Sequence, residues 1–185
     1  MEVKIMLSNH HVHLTQESVD VLFGEAGLTF NRYLAGNSGP YATNEFVDVE
    51  GPKGRINHLR VLGPARNYNQ CELLKTDCFK LGVDAPVRNS GKLEGAPMLK
   101  VIGPCGELEL PCAILAHRHI HMGKEVLEET GLKLGDAVSV KTEGIRSVVF
   151  NNVIIVAGGK GSVMHVDTEE GNAAGVKNGD MVENI

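Results

Sequence analysis

Residues 11–14 read His-Val-His-Leu, and residues 119–122 read His-Ile-His-Met. In a β-strand the side chains of residues i and i+2 project from the same face, so each His-x-His sequence places two imidazoles together. Each pair precedes a segment with helical periodicity, Thr15–Gly24 in the first copy and Gly123–Thr130 in the second. This recurrence at a distance of 108 residues predicts two copies of one strand-to-helix unit.

A second internal match has an offset of 93 residues and aligns two pairs of segments. They are Gln70–Val83 with Val163–Val176, and Leu59–Leu62 with Asn152–Ile155. This alignment puts Glu72 at the position of His165. The sequence therefore predicts two halves of one architecture, with a linker of turn-forming residues at 89–97 between a first domain, 1–90, and a second domain, 91–185.

Short segments rich in β-branched residues, bounded by Gly, Pro, Asn or Asp, recur along the chain. They are Val3–Leu7, Phe46–Val49, Asn57–Leu62, Met98–Ile102, Glu107–Leu110, Ala113–Ala116, Ala137–Lys141, Ser147–Phe150 and Val153–Val156. Glycine supplies 22 of the 185 residues, which suits many tight turns between short strands. We therefore predict a mainly β protein with two pseudo-repeated β-barrel domains and short capping helices.

Charge and hydropathy exclude several classes of protein. The 18 Lys and Arg residues are outnumbered by 23 Asp and Glu residues, which argues against a nucleic-acid partner. No apolar run is long enough to span a membrane, and the first residues lack the pattern of a secretory signal. The four cysteines form no Cys-x-x-Cys pair, so we expect buried thiols rather than a structural zinc site. A cytoplasmic protein is the expectation.

Each half of the chain offers three side chains that bind metals. These candidate ligands are His11, His13 and Glu72 in the first half, and His119, His121 and His165 in the second. Imidazole and carboxylate bind zinc at about 2.0–2.2 Å, and three protein ligands with one open position are typical of catalytic zinc. The in-register repetition of the set predicts two zinc ions per chain.

The remaining polar residues near these positions have less specific interpretations. His10 directly precedes the first pair and points to the opposite strand face, His117 precedes the second pair, and His58 lacks a partner at metal spacing, so we expect structural roles for all three. The stretch Asp167–Glu170 follows a candidate ligand and fits either a carboxylate that orients it or a helix N-cap. Capping is the favoured interpretation.

Arg66 ends the turn Gly63-Pro64-Ala65-Arg66, six residues before Glu72. An arginine in a rigid turn suits bidentate binding of phosphate or carboxylate. A surface ion pair fits the residue type equally well. Arg88 and Arg118 have the same two interpretations, and for both the ion pair is favoured.

Four motifs together resemble the phosphate propanoyltransferase family, the phosphotransacylases linked to propanediol-utilisation microcompartments. They are Ser8–Leu14, Val61–Arg66, Arg118–Met122 and Met164–Thr168. The resemblance runs in order from about Val3 to Ala174 and so covers nearly the whole chain. It implies two β-barrel domains, a two-zinc site, and interconversion of an acyl-CoA plus phosphate with an acyl phosphate plus CoA.

Carried over by position, the resemblance assigns the six candidate ligands that the repeat had grouped, together with Arg66. His11, His13 and Glu72 match ligands of one zinc, His119, His121 and His165 match ligands of the other, and Arg66 matches the phosphate-binding arginine. We expect zinc-assisted direct displacement on propanoyl-CoA or acetyl-CoA. The alternatives are a dinuclear zinc hydrolase and a non-catalytic metal-binding module.

The resemblance also bears on partners and location. It implies coenzyme A and phosphate as partners, and neither nucleic acid nor membrane is expected. Because the first strand begins almost at once, we expect a cytoplasmic member without the N-terminal extension that targets relatives to a microcompartment. Association with a microcompartment and with further copies of the chain stays open.

Overall fold

In a computed structural model of the chain, strands dominate the described residues, which are 1–34 and 37–184. The strands are β1 (Glu2–Ser8), β2 (His11–His13), β3 (Phe30–Tyr33), β4 (Tyr41–Gly51), β5 (Gly54–Gly63), β6 (Gln70–Glu72), β7 (Val87–Arg88), β8 (Met98–Ile102), β9 (Glu107–Pro111), β10 (Ala113–Ala116), β11 (His119–Met122), β12 (Ala137–Lys141), β13 (Val149–Ala157), β14 (Ser162–Asp167) and β15 (Met181–Asn184). The helices are α1 (Gln16–Phe23), α2 (Lys75–Leu81), α3 (Lys124–Thr130) and α4 (Thr168–Ala174). In the described part of the chain, no helix has the length and apolarity to cross a bilayer. The mainly β prediction is confirmed.

The helices begin and end where side chains or glycines satisfy their terminal backbone groups. The Thr15 hydroxyl accepts a hydrogen bond from the Ser18 N–H at 3.2 Å and starts α1. The Asp167 carboxylate accepts from the Glu170 N–H at 2.7 Å and starts α4, as the capping interpretation predicted. Helix α3 lies within the predicted segment and ends at Gly131, which has the left-handed conformation that favours glycine.

One compact unit consists of Met1–Asn9 together with the described residues from His117 onward. Its six strands close into a barrel in the order β1-β14-β11-β13-β12-β15. Strand β1 runs parallel to β14 and antiparallel to β15. Apolar side chains fill this unit because alternate strand positions point inward. The fully buried ones include Val3, Ile120, Val140, Val153 and Met164.

The other compact unit spans His10–Ala116. Its main sheet follows the order β7-β10-β6-β2-β5-β4-β8-β9, with β3 paired to β4. Over the described residues this order is open, since β7 and β9 are its two ends. The ligand strand β2 therefore lies between β5 and β6 in the interior of a sheet rather than at an edge. Helices α1 and α2 contribute to this unit's core through side chains such as Leu22 and Leu81.

Each unit contains one strand that belongs, in the sequence repeat, to the other half of the chain. Strands β1 and β10 hold the same place in the repeat, because each directly precedes a His-x-His strand. However, Met6 of β1 lies opposite His165, whereas Ile114 of β10 lies opposite Glu72. Each strand thus joins the unit built mainly from the other half of the chain. The observed division therefore differs from the predicted domains at 1–90 and 91–185, which assumed that each repeat pairs with itself.

The structure also corrects one part of the internal alignment. His58 and Asn152 both have positive φ, 69° and 57°, and they are 94 residues apart. Consistently, His11 lies opposite Arg60, and His119 lies opposite Ile154. Strands β5 and β13 therefore correspond with an offset of 94 rather than 93 residues, so the alignment of Leu59–Leu62 with Asn152–Ile155 is wrong by one position.

A circular permutant tests the strand exchange. In the barrel Glu2 lies opposite Glu183, so the two ends of the described chain adjoin. A variant that starts at His10 and carries residues 1–9 after residue 185, through a short Gly-Ser linker, makes each unit contiguous. We expect it to keep the parent's far-UV circular dichroism and to unfold cooperatively on heating.

The matched control opens the permuted chain between Ile5 and Met6, which splits β1 itself. We expect this control to lose cooperative unfolding, because half of the strand that closes the barrel is then at each end of the chain. A permutant starting at His10 that fails in the same way would contradict the observed pairing.

Candidate functional site

Antiparallel pairing of β2 with β6 assembles the first candidate ligand set. His11 lies directly opposite Glu72, and His13 follows two residues later on the same face. The His11 Nε2 lies 3.4 Å from Glu72 Oε2, and the His13 Nε2 lies 3.8 Å from Glu72 Oε1. The three predicted residues are therefore brought together within one unit, and we call them the first triad.

Antiparallel pairing of β11 with β14 assembles the second candidate set in the same way. His119 lies directly opposite His165, and His121 shares its strand face. The Nε2 atoms of His119 and His121 are 3.2 Å apart. In both sets one potential ligand atom from each residue lies within 4.8 Å of those of the others. We call His119, His121 and His165 the second triad.

The spacing and protonation of the second triad fit a metal ion. Bonds of 2.0–2.1 Å in a tetrahedron separate two ligand atoms by about 3.3–3.4 Å, close to the observed Nε2 separation. The Nδ1 atoms of His119 and His121 lie 2.8 and 3.0 Å from the carbonyl oxygens of His117 and Ala157. Because a carbonyl only accepts, each Nδ1 carries a proton, which leaves Nε2 as the ring nitrogen suited to a metal. The two rings therefore present these atoms at a spacing that suits a shared cation.

The environment of His13 keeps its imidazole neutral. Burial, followed by the neighbouring His11, lowers the pKa of His13 to about 3, although Glu72 opposes this shift. The ring is therefore unprotonated near pH 7 and can act as a metal ligand. Its Nδ1 is buried and has no hydrogen-bond partner among the described residues.

The turn before β6 brings Arg66 next to the first triad. The Arg66 N–H donates to the Leu14 carbonyl at 2.8 Å, just beyond the end of β2. The charge of Arg66 contributes to lowering the pKa of His13, which places the guanidinium within electrostatic reach of that ring. Its Nε is buried and lacks a hydrogen-bond partner in the described part of the chain. A buried N–H of this kind is suited to an anionic ligand.

The other two arginines are engaged with protein groups. The Arg118 Nε forms an ion pair with Glu170 at 2.8 Å, and Arg88 donates to the carbonyl oxygens of Glu94 and Val87. Arg118 thus forms the ion pair that was favoured for it, whereas the contacts of Arg88 within the described residues are with backbone carbonyl oxygens.

Sequence reasoning missed Gln70, which holds the carboxylate of the first triad. The side chain is fully buried, and its Nε2 donates to Glu72 Oε1 at 2.7 Å and to Ser90 Oγ at 2.9 Å. Its Oε1 accepts from the Gly91 N–H at 2.7 Å. The available signal was the i, i+2 spacing to Glu72 on a strand, which puts both side chains on one face. Position 163, its counterpart in the second half, is a valine, and there the third candidate ligand is a histidine.

The cysteines divide into buried and exposed thiols. Cys71, Cys78 and Cys112 are buried as expected, whereas Cys105 is exposed, contrary to expectation. Burial raises the pKa of Cys71 and raises that of Cys112 to about 12. Both thiols are therefore protonated near pH 7 and are poor nucleophiles.

Comparison with known proteins gives one consistent result. The sequence profile of the phosphate propanoyltransferase family matches residues 4–177. The phosphate propanoyltransferase of Thermotoga maritima is 46% identical over 180 residues, which cover 95% of this chain and 85% of the relative. The phosphate propanoyltransferase of Levilactobacillus brevis is 42% identical over 176 residues, which cover 94% of this chain and 84% of the relative. The phosphate propanoyltransferase of Salmonella typhimurium is 40% identical over 179 residues, which cover 95% of this chain and 85% of the relative. The chain therefore belongs to the phosphate propanoyltransferase family.

Proposed function

We propose that this chain is a phosphotransacylase that interconverts a short-chain acyl-CoA and phosphate with an acyl phosphate and CoA. Family membership supports the reaction class. The observation that carries the proposal is the first triad with Arg66 beside it, which combines metal-spaced ligand atoms with a buried, unpartnered guanidinium N–H. This combination suits a reaction that brings a phosphate to a polarised carbonyl.

We infer that each triad holds one zinc ion, through His11, His13 and Glu72 in one unit and through His119, His121 and His165 in the other. A bound zinc ion supplies a Lewis acid for a carbonyl oxygen or a soft partner for sulfur. The protein prepares the sites by keeping His13 neutral through burial and by holding Glu72 through Gln70. Backbone carbonyls orient His119 and His121 through their Nδ1 atoms, which makes Nε2 the ligand atom that we assign to each ring.

Arg66 is the residue we assign to phosphate. Its guanidinium can hold two phosphate oxygens and leave a third to attack the thioester carbonyl carbon. As the new C–O bond forms and the C–S bond breaks, the sulfur leaves as a thiolate with the bonding electron pair. At the corresponding turn of the other unit stands Lys160, whose exposed side chain lacks this pre-positioning.

Direct displacement requires no protein nucleophile. This agrees with the buried thiols Cys71 and Cys112, whose raised pKa values keep them protonated. A hydrolase would use the same ligand atoms but would activate water, and it would not need Arg66 for a phosphate co-substrate. The choice between propanoyl-CoA and acetyl-CoA turns on one methylene, a difference of about 1–3 kcal/mol in an apolar pocket.

The reaction and the metal can be tested on one sample. We expect acyl phosphate to form from acyl-CoA only when phosphate is present, with about two zinc ions per chain in elemental analysis. A strong chelator should abolish the activity, and added zinc should restore it. Free acid without acyl phosphate would indicate the hydrolase, and full activity with at most one metal ion per chain would refute the two-site proposal.

Replacement of Arg66 tests the phosphate assignment. We expect Arg66→Ala to lower kcat/KM for phosphate by about 10²–10³-fold with zinc content unchanged, because a charge-assisted bidentate contact is lost. Arg66→Lys should recover little, because an ammonium cannot reproduce the guanidinium fork. Arg60→Lys is the control, since Arg60 donates to the Thr43 carbonyl in the same unit. Equal activity of Arg66→Ala and the parent protein would remove Arg66 from the site.

Replacement of Gln70 tests the support of the first triad. Gln70→Met conserves volume but removes the donor to Glu72 and the acceptor for Gly91. We expect zinc affinity to fall by about 10–100-fold at one of the two sites, as for other groups that orient ligands. Stability should fall by about 1–3 kcal/mol, because the Gly91 N–H loses its partner. Gln16→Met, which removes an exposed amide bonded to Asp20, should change neither quantity.

A further inference from the structure

Two contacts between a basic and an acidic side chain stand at equivalent places in the two units. His10 Nδ1 lies 2.9 Å from Asp77 Oδ2 in one unit, and Arg118 Nε lies 2.8 Å from Glu170 Oε1 in the other. The two basic residues are 108 residues apart and the two acidic residues are 93 apart, the same offsets that relate the triads. We call His10 with Asp77 the first clasp and Arg118 with Glu170 the second clasp.

Each clasp joins the two segments that carry one triad. The basic residue directly precedes the strand with two histidine ligands, β2 or β11. The acidic residue lies in the first turn of the helix that follows the third ligand, α2 or α4. The clasp therefore links the segment of the first two ligands to the segment of the third, outside the strand ladder itself.

The ladders alone are short for the precision that a metal site requires. Strand β2 pairs with β6 over three residues, and β11 pairs with β14 over four. A shift of one residue turns every side chain of a strand to the other face of the sheet. A polar contact immediately beyond the ladder would fix its end and help to keep His11 opposite Glu72, and His119 opposite His165.

Helix capping accounts for the acidic residues but not for their basic partners. The Asp77 carboxylate accepts the Leu74 N–H at 2.9 Å, as a residue in the first turn of a helix can do without any basic partner. In the other unit Asp167 caps α4, so the Glu170 carboxylate is not needed as a helix cap. Both clasps are partly buried, with side-chain exposures of 21% and 12% in the first and 33% and 24% in the second.

We propose that the two clasps are positioning devices for the metal ligands, so that His10 and Arg118 set how tightly each triad retains zinc. This inference rests on the proposed zinc sites. The clasp residues touch neither metal nor substrate and act by holding the ligand strands in register. The basic residue is a histidine in one unit and an arginine in the other, so the shared element is a contact between a basic and an acidic side chain rather than one particular residue.

The test is the rate at which zinc passes from the folded protein to a chromogenic chelator. The parent must first hold about two zinc ions per chain and release both slowly, since otherwise the zinc proposal itself fails. In Arg118→Gln, and separately in His10→Ala, we expect about one zinc per chain to leave on the order of tenfold faster. The other zinc should leave at the parent rate.

Conservative variants separate positioning from simple stabilisation. Arg118→Lys and His10→Arg keep a basic side chain opposite the carboxylate and should retain slow release. Glu170→Gln should match Arg118→Gln, and the double variant should lose zinc no faster than either single one, because the two residues act as a pair. Arg55→Gln removes the Asp48 ion pair, which is similarly exposed but remote in sequence from the triads, and should leave zinc release unchanged.

Two results would overturn the proposal while leaving the zinc sites intact. One is parent-like release of both zinc ions from Arg118→Gln and His10→Ala. The other is an equal acceleration in Arg55→Gln, which would mean that any lost ion pair loosens the metal. Thermal unfolding of the zinc-loaded variants, followed by circular dichroism, establishes that release is measured from folded protein.

Discussion

The antiparallel pairing between a His-x-His strand and its neighbour is the constraint on which the rest of the site depends. Opposite residues in such a pair are close enough for their side chains to meet, and the i+2 residue joins them on the same face. This geometry brings residues that are 61 positions apart in one unit, and 46 apart in the other, together in two compact triads. Interior positions in the sheet then hold each ligand strand on both sides, by β5 and β6 for β2 and by β13 and β14 for β11.

The two units orient their candidate ligands differently because the third member of each triad differs. A carboxylate rotates and offers two oxygens, so Glu72 is held by the buried amide of Gln70. Imidazoles are oriented through their second nitrogen, so His119 and His121 each use a backbone carbonyl. The first triad is the more buried of the two, which explains why its support comes from a side chain that is itself fully enclosed.

Much of the site could be read from the sequence because its information is local. The His-x-His motifs fix which side chains share a face, and the repeat supplies the third ligand of each set. The helix ends followed from Thr15, Asp167 and Gly131, whose capping chemistry depends on few neighbours. Gln70 was missed because its role appears only when Glu72 and Gly91 are seen around it.

Pairing partners were harder to predict than strands. Two strands with the same place in a repeat have the same local pattern, so nothing in that pattern says that β1 pairs with β14 and β10 with β6. The one-residue error between β5 and β13 has a similar origin. His58 and Asn152 adopt positive φ, a conformation that sequence patterns associate mainly with glycine, and their shared conformation marks the true correspondence.

The exchanged strand also imposes an order of events on protein synthesis. Strand β6 is synthesised before its partner β10. The unit of residues 10–116 therefore has all its described strands once residue 116 has left the ribosome. Of the described strands, β1 is synthesised first. Its partner β14 follows about 160 residues later, or roughly 10–30 s at ordinary translation rates. During this interval Val3 and Ile5 have no barrel to enter. Glu2 and Lys4 alternate with them, and such charges on an unpaired strand oppose association with other nascent chains.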